Sequence, residues 1–276
     1  MLAAVIPVKN EAAVIQKVLR RVLSLPVDLV IPVLNGCTDA SREKVAELHE
    51  RRIKPLFFHQ ALGIDVPRAV GARQACRAGA RAVLFVDGDM SGDLDALLSR
   101  LAEAVTGGRA DLALTDCYPP EAAAGLSELA SHLLAVRLSL NRELGLAGVL
   151  GSSSPSHGPH AVSRTFLERV PLRELAVPPA ALALAAREGL TVRVAAAAPH
   201  SRLGSPWRDA VHSRLIAETI IGDCLEALCV YEGRPRSRAK DGHLFMGYHP
   251  ARRFDLLDRF LAAGQAVLPP EHRPDE

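Results

Sequence analysis

The first 115 residues alternate short apolar runs with amphipathic stretches, and few folds accept that rhythm. Leu2 to Val8, Asp28 to Leu34, Pro55 to His59, Ala82 to Val86 and Asp111 to Thr115 have strand length and β-branched content. Between them, helices are predicted over Ala12 to Leu25, Ser41 to Arg52, Pro67 to Ala78 and Leu94 to Thr106. Strand and helix in strict alternation predict a mainly parallel central sheet flanked by helices, a doubly wound, Rossmann-like α/β half. Such sheets bind ligands just beyond the carboxyl ends of their strands, so the residues that follow each apolar run are the informative ones.

After Thr115 the pattern changes. Glu121 to Leu144 predicts one or two amphipathic helices, and Gly148 to Gly158 is rich in Gly and Ser. Ala161 to Val170 and Pro179 to Glu188 read as helices, Thr191 to Ala198 as a strand, and the stretch after Pro206 as one long helix to Val230. The expected organisation is a domain over 1–205 whose two halves meet at about 117. A helical extension over 206–268 and a disordered tail over 269–276 follow. The long helices at 121–144 and 206–230 either cover the sheet, the default, or offer a homodimer interface.

Composition narrows the classes. The net charge is +2, from 33 basic and 31 acidic residues, so nothing points to nucleic acid as a partner. Five cysteines without C-x-x-C spacing argue against a disulfide framework or a zinc site and for a reducing compartment. No apolar stretch reaches the length of a membrane span, so a cytoplasmic protein is expected, with peripheral membrane association left open.

Three strand ends are polar in a related way: Pro7-Val8-Lys9-Asn10-Glu11, Asn35-Gly36-Cys37-Thr38-Asp39 and Asp87-Gly88-Asp89. Singly, each reads most simply as a turn or helix cap. Together they fall on one edge of the sheet, where small residues and hydrogen-bonding side chains can grip a nucleoside. Paired carboxylates there can hold a divalent cation and, through it, phosphates.

In this order the three motifs resemble the GT-A group of nucleotide-sugar-dependent glycosyltransferases, specifically the family-2-like members, over residues 2 to 115 and onward to about 205. The resemblance implies that Pro7, Val8, Asn10 and Glu11 frame the base and ribose and that Asn35 and Gly36 complete that wall. Family members usually carry Asp where this chain has Asn35. It further implies that Gly63 and Arg68 lie beside the diphosphate, with Arg68 preferred over Arg73 because it is nearer the loop. Asp87 and Asp89 become the catalytic pair flanking Gly88, and Asp89 the more direct ligand of Mn²⁺ or Mg²⁺. His200, in Pro199-His200-Ser201-Arg202 after a predicted strand, matches a metal-completing histidine of retaining relatives such as the glucosyl-3-phosphoglycerate and mannosylglycerate synthases.

The expected activity is transfer of a sugar from a UDP- or GDP-sugar to a small or lipid-linked acceptor. The chain departs from inverting relatives at Ala176-Val177-Pro178-Pro179-Ala180, where they place a carboxylate base. Glu174 and His157 are distant substitutes, so a retaining outcome is favoured. His157 and His160, in the Ser-rich segment, are weaker candidates for the acceptor pocket. The alternatives are a protein of this fold that binds nucleotide sugars without transfer, and a nucleotidyltransferase. The latter is disfavoured because Lys9-Asn10-Glu11 replaces the Gly-rich basic loop it requires.

Overall fold

A computed structural model describes residues 1–122, 125–206 and 209–263. In chain order the elements are β1 (Leu2–Val8), α1 (Ile15–Ser24), β2 (Leu29–Asn35), α2 (Ser41–Ala46), β3 (Leu56–Phe58) and α3 (Val66–Arg77). Next come β4 (Ala82–Phe85), α4 (Asp95–Thr106), β5 (Leu112–Asp116), α5 (Glu128–Glu143), α6 (Ala147–Leu150) and β6 (His160–Ser163). The remainder is α7 (Arg164–Arg169), α8 (Pro178–Arg187), β7 (Val192–Ala197), α9 (Ala210–Tyr231), the small hairpin β8 (Ala239–Lys240) and β9 (His243–Leu244), and α10 (Phe254–Ala262).

The first seven strands form one sheet in the order β3-β2-β1-β4-β6-β5-β7, parallel except for β6, which runs against both its neighbours. β1 is the point where the winding reverses: β2 lies on one side of it and β4 on the other. That crevice is where an open α/β sheet binds its ligand.

Both faces of the sheet are covered at its centre, which is why β1 and β4 are apolar without interruption. Val5, Ile31, Val83 and Phe85 face a core shared with α3, α8, α9 and α10; Ala4, Ile6, Val30 and Leu84 face one built with α1 and α4. α1 shows the sequence logic well: Ile15, Val18, Leu19 and Val22 recur at helical spacing and all four are buried. Each such side chain contributes about 1.5–3 kcal/mol when fully buried.

Two predicted elements need correction. Ala161 to Val170 is not one helix: residues 160–163 form β6, which fills the gap between β4 and β5. α7 starts directly after it, with the Ser163 hydroxyl accepting the Phe166 N–H at 3.2 Å as a helix cap. The helix over 41–52 stops at Ala46, because His49 takes φ 47° and the chain turns to bring Ile53 beside Val30. The C-terminal elements pack back on the rest: α9 lies against α8 and α5, and α10 against α3. Among the described residues no helix is long and apolar enough to cross a membrane. All five cysteines are free thiols. The expected tail at 269–276 lies outside the described residues.

Candidate active site

The first two polar loops lock onto each other. Asn10 sits at φ 58°, a left-handed conformation that asparagine tolerates, and its Oδ1 accepts the Thr38 N–H at 2.8 Å. Its Nδ2 donates to the Thr38 hydroxyl at 3.2 Å. The Glu11 N–H donates to Ser41 Oγ at 2.8 Å and the Ala12 N–H to Asp39 Oδ2 at 3.0 Å. Lys9 Nζ donates to the Gly36 carbonyl, and the Cys37 thiol lies 3.3 Å from the Val8 carbonyl. Asp39 and Ser41 thus satisfy backbone donors leading into α1, which has no side-chain cap of its own.

Asn35 is buried, and its amide is spent on the neighbouring loop. Its Oδ1 accepts the Leu62 N–H at 2.5 Å, and its Nδ2 donates to the Gly63 carbonyl at 3.1 Å. The residue therefore shapes the wall of the crevice through residues 62–63. Gly63, at φ 90°, has the C-terminal segment directly upon it: an added Cβ would stand 2.4 Å from the Ala251 carbonyl oxygen.

The third loop continues the β4–β1 pairing past the end of β4. The Val86 N–H donates to the Val5 carbonyl at 3.1 Å and the Gly88 N–H to the Pro7 carbonyl at 2.9 Å. Asp87 and Asp89 are thereby set against the Pro7–Glu11 loop. Gly88 is obligatory in this register, since a Cβ there would lie 2.7 Å from the Pro7 oxygen.

Arg68, in the first turn of α3, is buried and donates to both oxygens of Asp87, at 2.7 and 2.9 Å. It also pairs with Asp65, whose φ of 64° turns the chain into α3. Burial pushes the Asp87 carboxyl up to about 6; Arg68 opposes that rise and Asp89 adds to it. Asp65 and Asp89 both add to the rise of Asp87, a crowding of like charges that a divalent cation would relieve.

His200 follows β7, and its segment is tied to both sides of the crevice. The His200 N–H donates to the Cys117 carbonyl at 2.9 Å, the Gly92 N–H to the Leu203 carbonyl at 2.9 Å, and Ser91 Oγ to the Gly204 carbonyl at 3.2 Å. The imidazole is coupled electrostatically to Asp89, and its pKa stays below the ordinary histidine value because partial burial outweighs that pull. A neutral imidazole beside a carboxylate is a competent donor set for Mn²⁺. The structure therefore brings Pro7, Val8, Asn10, Glu11, Gly36, Gly88, Asp87, Asp89 and His200 to one edge of the sheet, with Arg68 beneath.

The weaker candidates separate. Glu174 is buried with Arg236 Nη2 at 2.7 Å from its Oε1, inside an ion-pair cluster rather than facing the crevice. His160 stacks on Phe85 at 4.8 Å, and burial drives its pKa down to about 3, so it is a neutral core residue. His157 is buried and neutral for the same reason, with its ring 5.4 Å from Tyr118 and 4.9 Å from His200. The start of α8 is apolar: Pro178 and Ala181 line a small cavity with Leu112, Val162 and Phe166.

Sequence reasoning missed several residues. Arg252 bridges Asp65 and Asp223, and Arg238 bridges Asp223 and Glu226, so that ion pairs run continuously from Asp87 to Glu174. Asp223, Glu226 and His249 converge closely enough to suggest a metal site, but arginines already hold both carboxylates. Arg137 was also overlooked, although a lone charge within Leu133-Leu134-Ala135-Val136-Arg137-Leu138 was a readable signal.

Residues 3–168 match the family described as glycosyl transferase family 2. The chain belongs to that family. Among solved structures, glucosyl-3-phosphoglycerate synthase from Mycobacterium tuberculosis in complex with phosphoglyceric acid superposes with a TM-score of 0.59 at 18% identity, over 86% of this chain and 81% of that one. The same enzyme with Mn²⁺, UDP and glucosyl-3-phosphoglycerate gives 0.58 at 18% identity, over 86% and 81%. Mannosyl-3-phosphoglycerate synthase from Rubrobacter xylanophilus gives 0.58 at 12% identity, over 88% and 78%. No curated protein sequence matches the chain. As a family-2 glycosyltransferase the chain has the GT-A fold.

Proposed function

We propose that this family-2 glycosyltransferase moves a sugar from a UDP- or GDP-sugar to its acceptor with the help of a divalent cation, and with retention at the anomeric carbon. The observation that carries the reading is that the Asp87-Gly88-Asp89 loop is hydrogen-bonded against Pro7 at the end of β1, with His200 in electrostatic reach of Asp89. The solved neighbour that holds Mn²⁺ with UDP supports it.

Each residue then has a physical task. The interlocked loops carrying Asn10, Glu11 and Gly36 present a rigid wall to the nucleoside, which lowers the entropic cost of binding. Asn35 and Gly63 fix the floor of that wall. Arg68 keeps the Asp87 carboxylate oriented through both of its oxygens. Asp89 and His200 would hold Mn²⁺ or Mg²⁺, which supplies the positive charge that stabilises a departing diphosphate. The apolar start of α8 lacks a carboxylate base, and this favours retention, in which the acceptor proton passes to the leaving diphosphate oxygen. The same feature suits a binding protein without transferase activity, so turnover must be measured directly.

Calorimetric titration tests the donor site. UDP or GDP is expected to bind wild-type protein with Mn²⁺ present and to lose that binding with EDTA or in Asp89→Ala. Nucleotide affinity unchanged by either treatment would remove the assignment.

A further inference from the structure

The C-terminal segment reaches the crevice from outside, through one loop. Ala61 to Asp65 lie between the end of β2 and residues 251–253. On the inner side, Asn35 holds the Leu62 N–H and the Gly63 carbonyl, and Gly36 packs so closely that a Cβ there would stand 2.7 Å from the Ala61 nitrogen. On the outer side, the Arg253 N–H donates to the Leu62 carbonyl at 2.8 Å and Arg252 Nε to the Ile64 carbonyl at 3.3 Å. The loop is therefore gripped from both sides, and its geometry depends on the C-terminal segment as much as on the sheet.

Asp65 ends the loop and divides its carboxylate. Its Oδ1 accepts from Arg68 Nη1 and its Oδ2 from Arg252 Nη2, the latter at 2.8 Å. Arg68 then spends its other terminal nitrogen on both oxygens of Asp87. Arg252 is itself fixed by both oxygens of Asp223 on α9. The chain leading to it is laid directly on that helix: the Tyr248 N–H donates to Thr219 Oγ1 at 2.7 Å, and any Cβ at Gly222 would collide with the Phe245 carbonyl. Five alternating charges, Asp223, Arg252, Asp65, Arg68 and Asp87, thus link α9 to the acid at the end of β4. The first four are no more than 10% exposed. Apolar side chains of similar volume would serve stability as well as such buried pairs do, so the charges call for a further task.

We propose that Arg252 is a positioning residue of the donor site: it holds Asp65 and the loop before it in register and so, through Arg68, sets the Asp87 carboxylate beside the metal and diphosphate. The inference rests on the donor reading above and adds to it a residue from the far end of the chain. Arg252 acts only through Asp65 and the loop. Groups that orient metal-site carboxylates typically carry about 10–100-fold of affinity, and Arg252 stands one link further back, so the low end applies. Coupling of this kind is reciprocal: a bound nucleotide must also hold the C-terminal segment more firmly on the loop.

Calorimetry with Mn²⁺–UDP and Mn²⁺–GDP on the full chain, well below every variant's melting point, tests the role. Arg252→Met should weaken the nucleotide that wild type binds by about tenfold. Arg252→Lys keeps a charge for Asp65 without the planar fork, so it should lose less; it serves as the test if the Met variant does not fold. Arg236→Met breaks the same network at its far end, where Arg236 pairs with Glu174 and Glu226. It should lower stability and leave nucleotide affinity unchanged. Asp65→Asn checks the route, since asparagine accepts the φ of 64° there. In that background Arg252→Met should cost no further affinity. Mn²⁺ with the bound nucleotide should also slow deuterium exchange over residues 245–253. Equal loss in Arg236→Met, losses that add in the Asp65→Asn background, or exchange unchanged by nucleotide would overturn the proposal. Wild-type protein that binds neither nucleotide removes the donor reading and this inference with it. Wild-type binding that both Arg252 variants retain in full removes this inference alone.

Discussion

Replacing Arg252 with Met should cost more stability than any surface change in this chain. The side chain is fully buried; its Nη1 and Nη2 donate to Asp223 at 2.6 and 2.7 Å and its Nη2 to Asp65 at 2.8 Å. Its Nε reaches the Ile64 carbonyl at 3.3 Å. Removing one member of a buried pair typically costs about 3–5 kcal/mol, chiefly because the remaining charge stays desolvated and unpaired. Here Asp223 keeps Arg238 at 2.6 Å and Asp65 keeps Arg68, so the low end, about 3 kcal/mol, applies. At roughly 2–4 °C per kcal/mol for a chain of this size, the melting point should fall by about 6–12 °C. Circular dichroism melts and urea titrations would measure it, with Arg253→Met as the control. Arg253 pairs with Asp255 at the surface, and its loss should leave the midpoint unchanged. Because Asp65 also orients Arg68, Arg252→Met should weaken Mn²⁺–nucleotide binding as well. A melting point within about 2 °C of wild type, less than 1 kcal/mol on the same scale, would refute the claim that the C-terminal segment is anchored by this network.

Two further outcomes follow from the site. Asp87 titrates near 6 because burial disfavours its charged form, and a cation needs that charge; Mn²⁺ affinity at the site should therefore fall as pH drops below about 6, approaching tenfold per unit. The sign for folding is opposite: the raised pKa means that this residue favours the metal-free fold below about pH 4 and that its contribution is lost as pH rises through 6. Calorimetry from pH 5 to 8 decides it, and a flat affinity would show that Asp87 stays ionised throughout. Asn35→Asp should destabilise by about 1–3 kcal/mol, because a carboxylate cannot donate to the Gly63 carbonyl that Asn35 Nδ2 now holds at 3.1 Å. Thermal melts that match wild type, together with tighter nucleotide binding, would assign Asn35 to the base instead of the loop.

The parts of the fold that sequence could reveal are those governed by local pattern. Val5, Val30, Val83 and their neighbours form runs buried on both faces, so the parallel strands announced themselves, and the polar residues after each run marked the ligand edge. β6 was hidden because His160-Ala161-Val162-Ser163 is only four residues long and joins a helix without a break. The site divided in the same way. Asp87, Asp89 and the two polar loops were legible because each ends a strand. Arg252 was not, since Asp65 lies 187 residues away and no local pattern predicts that pairing. Glu174 looked free to act as a base only because Arg236, 62 positions on, was invisible as its partner.

Turnover tests the central claim most directly. Wild-type protein with Mn²⁺ would be incubated with a panel of UDP- and GDP-sugars, with and without 3-phosphoglycerate, and released nucleoside diphosphate quantified beside Asp89→Asn. The account predicts release from at least one donor, dependent on Mn²⁺ and on Asp89. Absence of release from every donor while UDP or GDP still binds would contradict it, leaving a nucleotide-sugar-binding protein on a transferase fold.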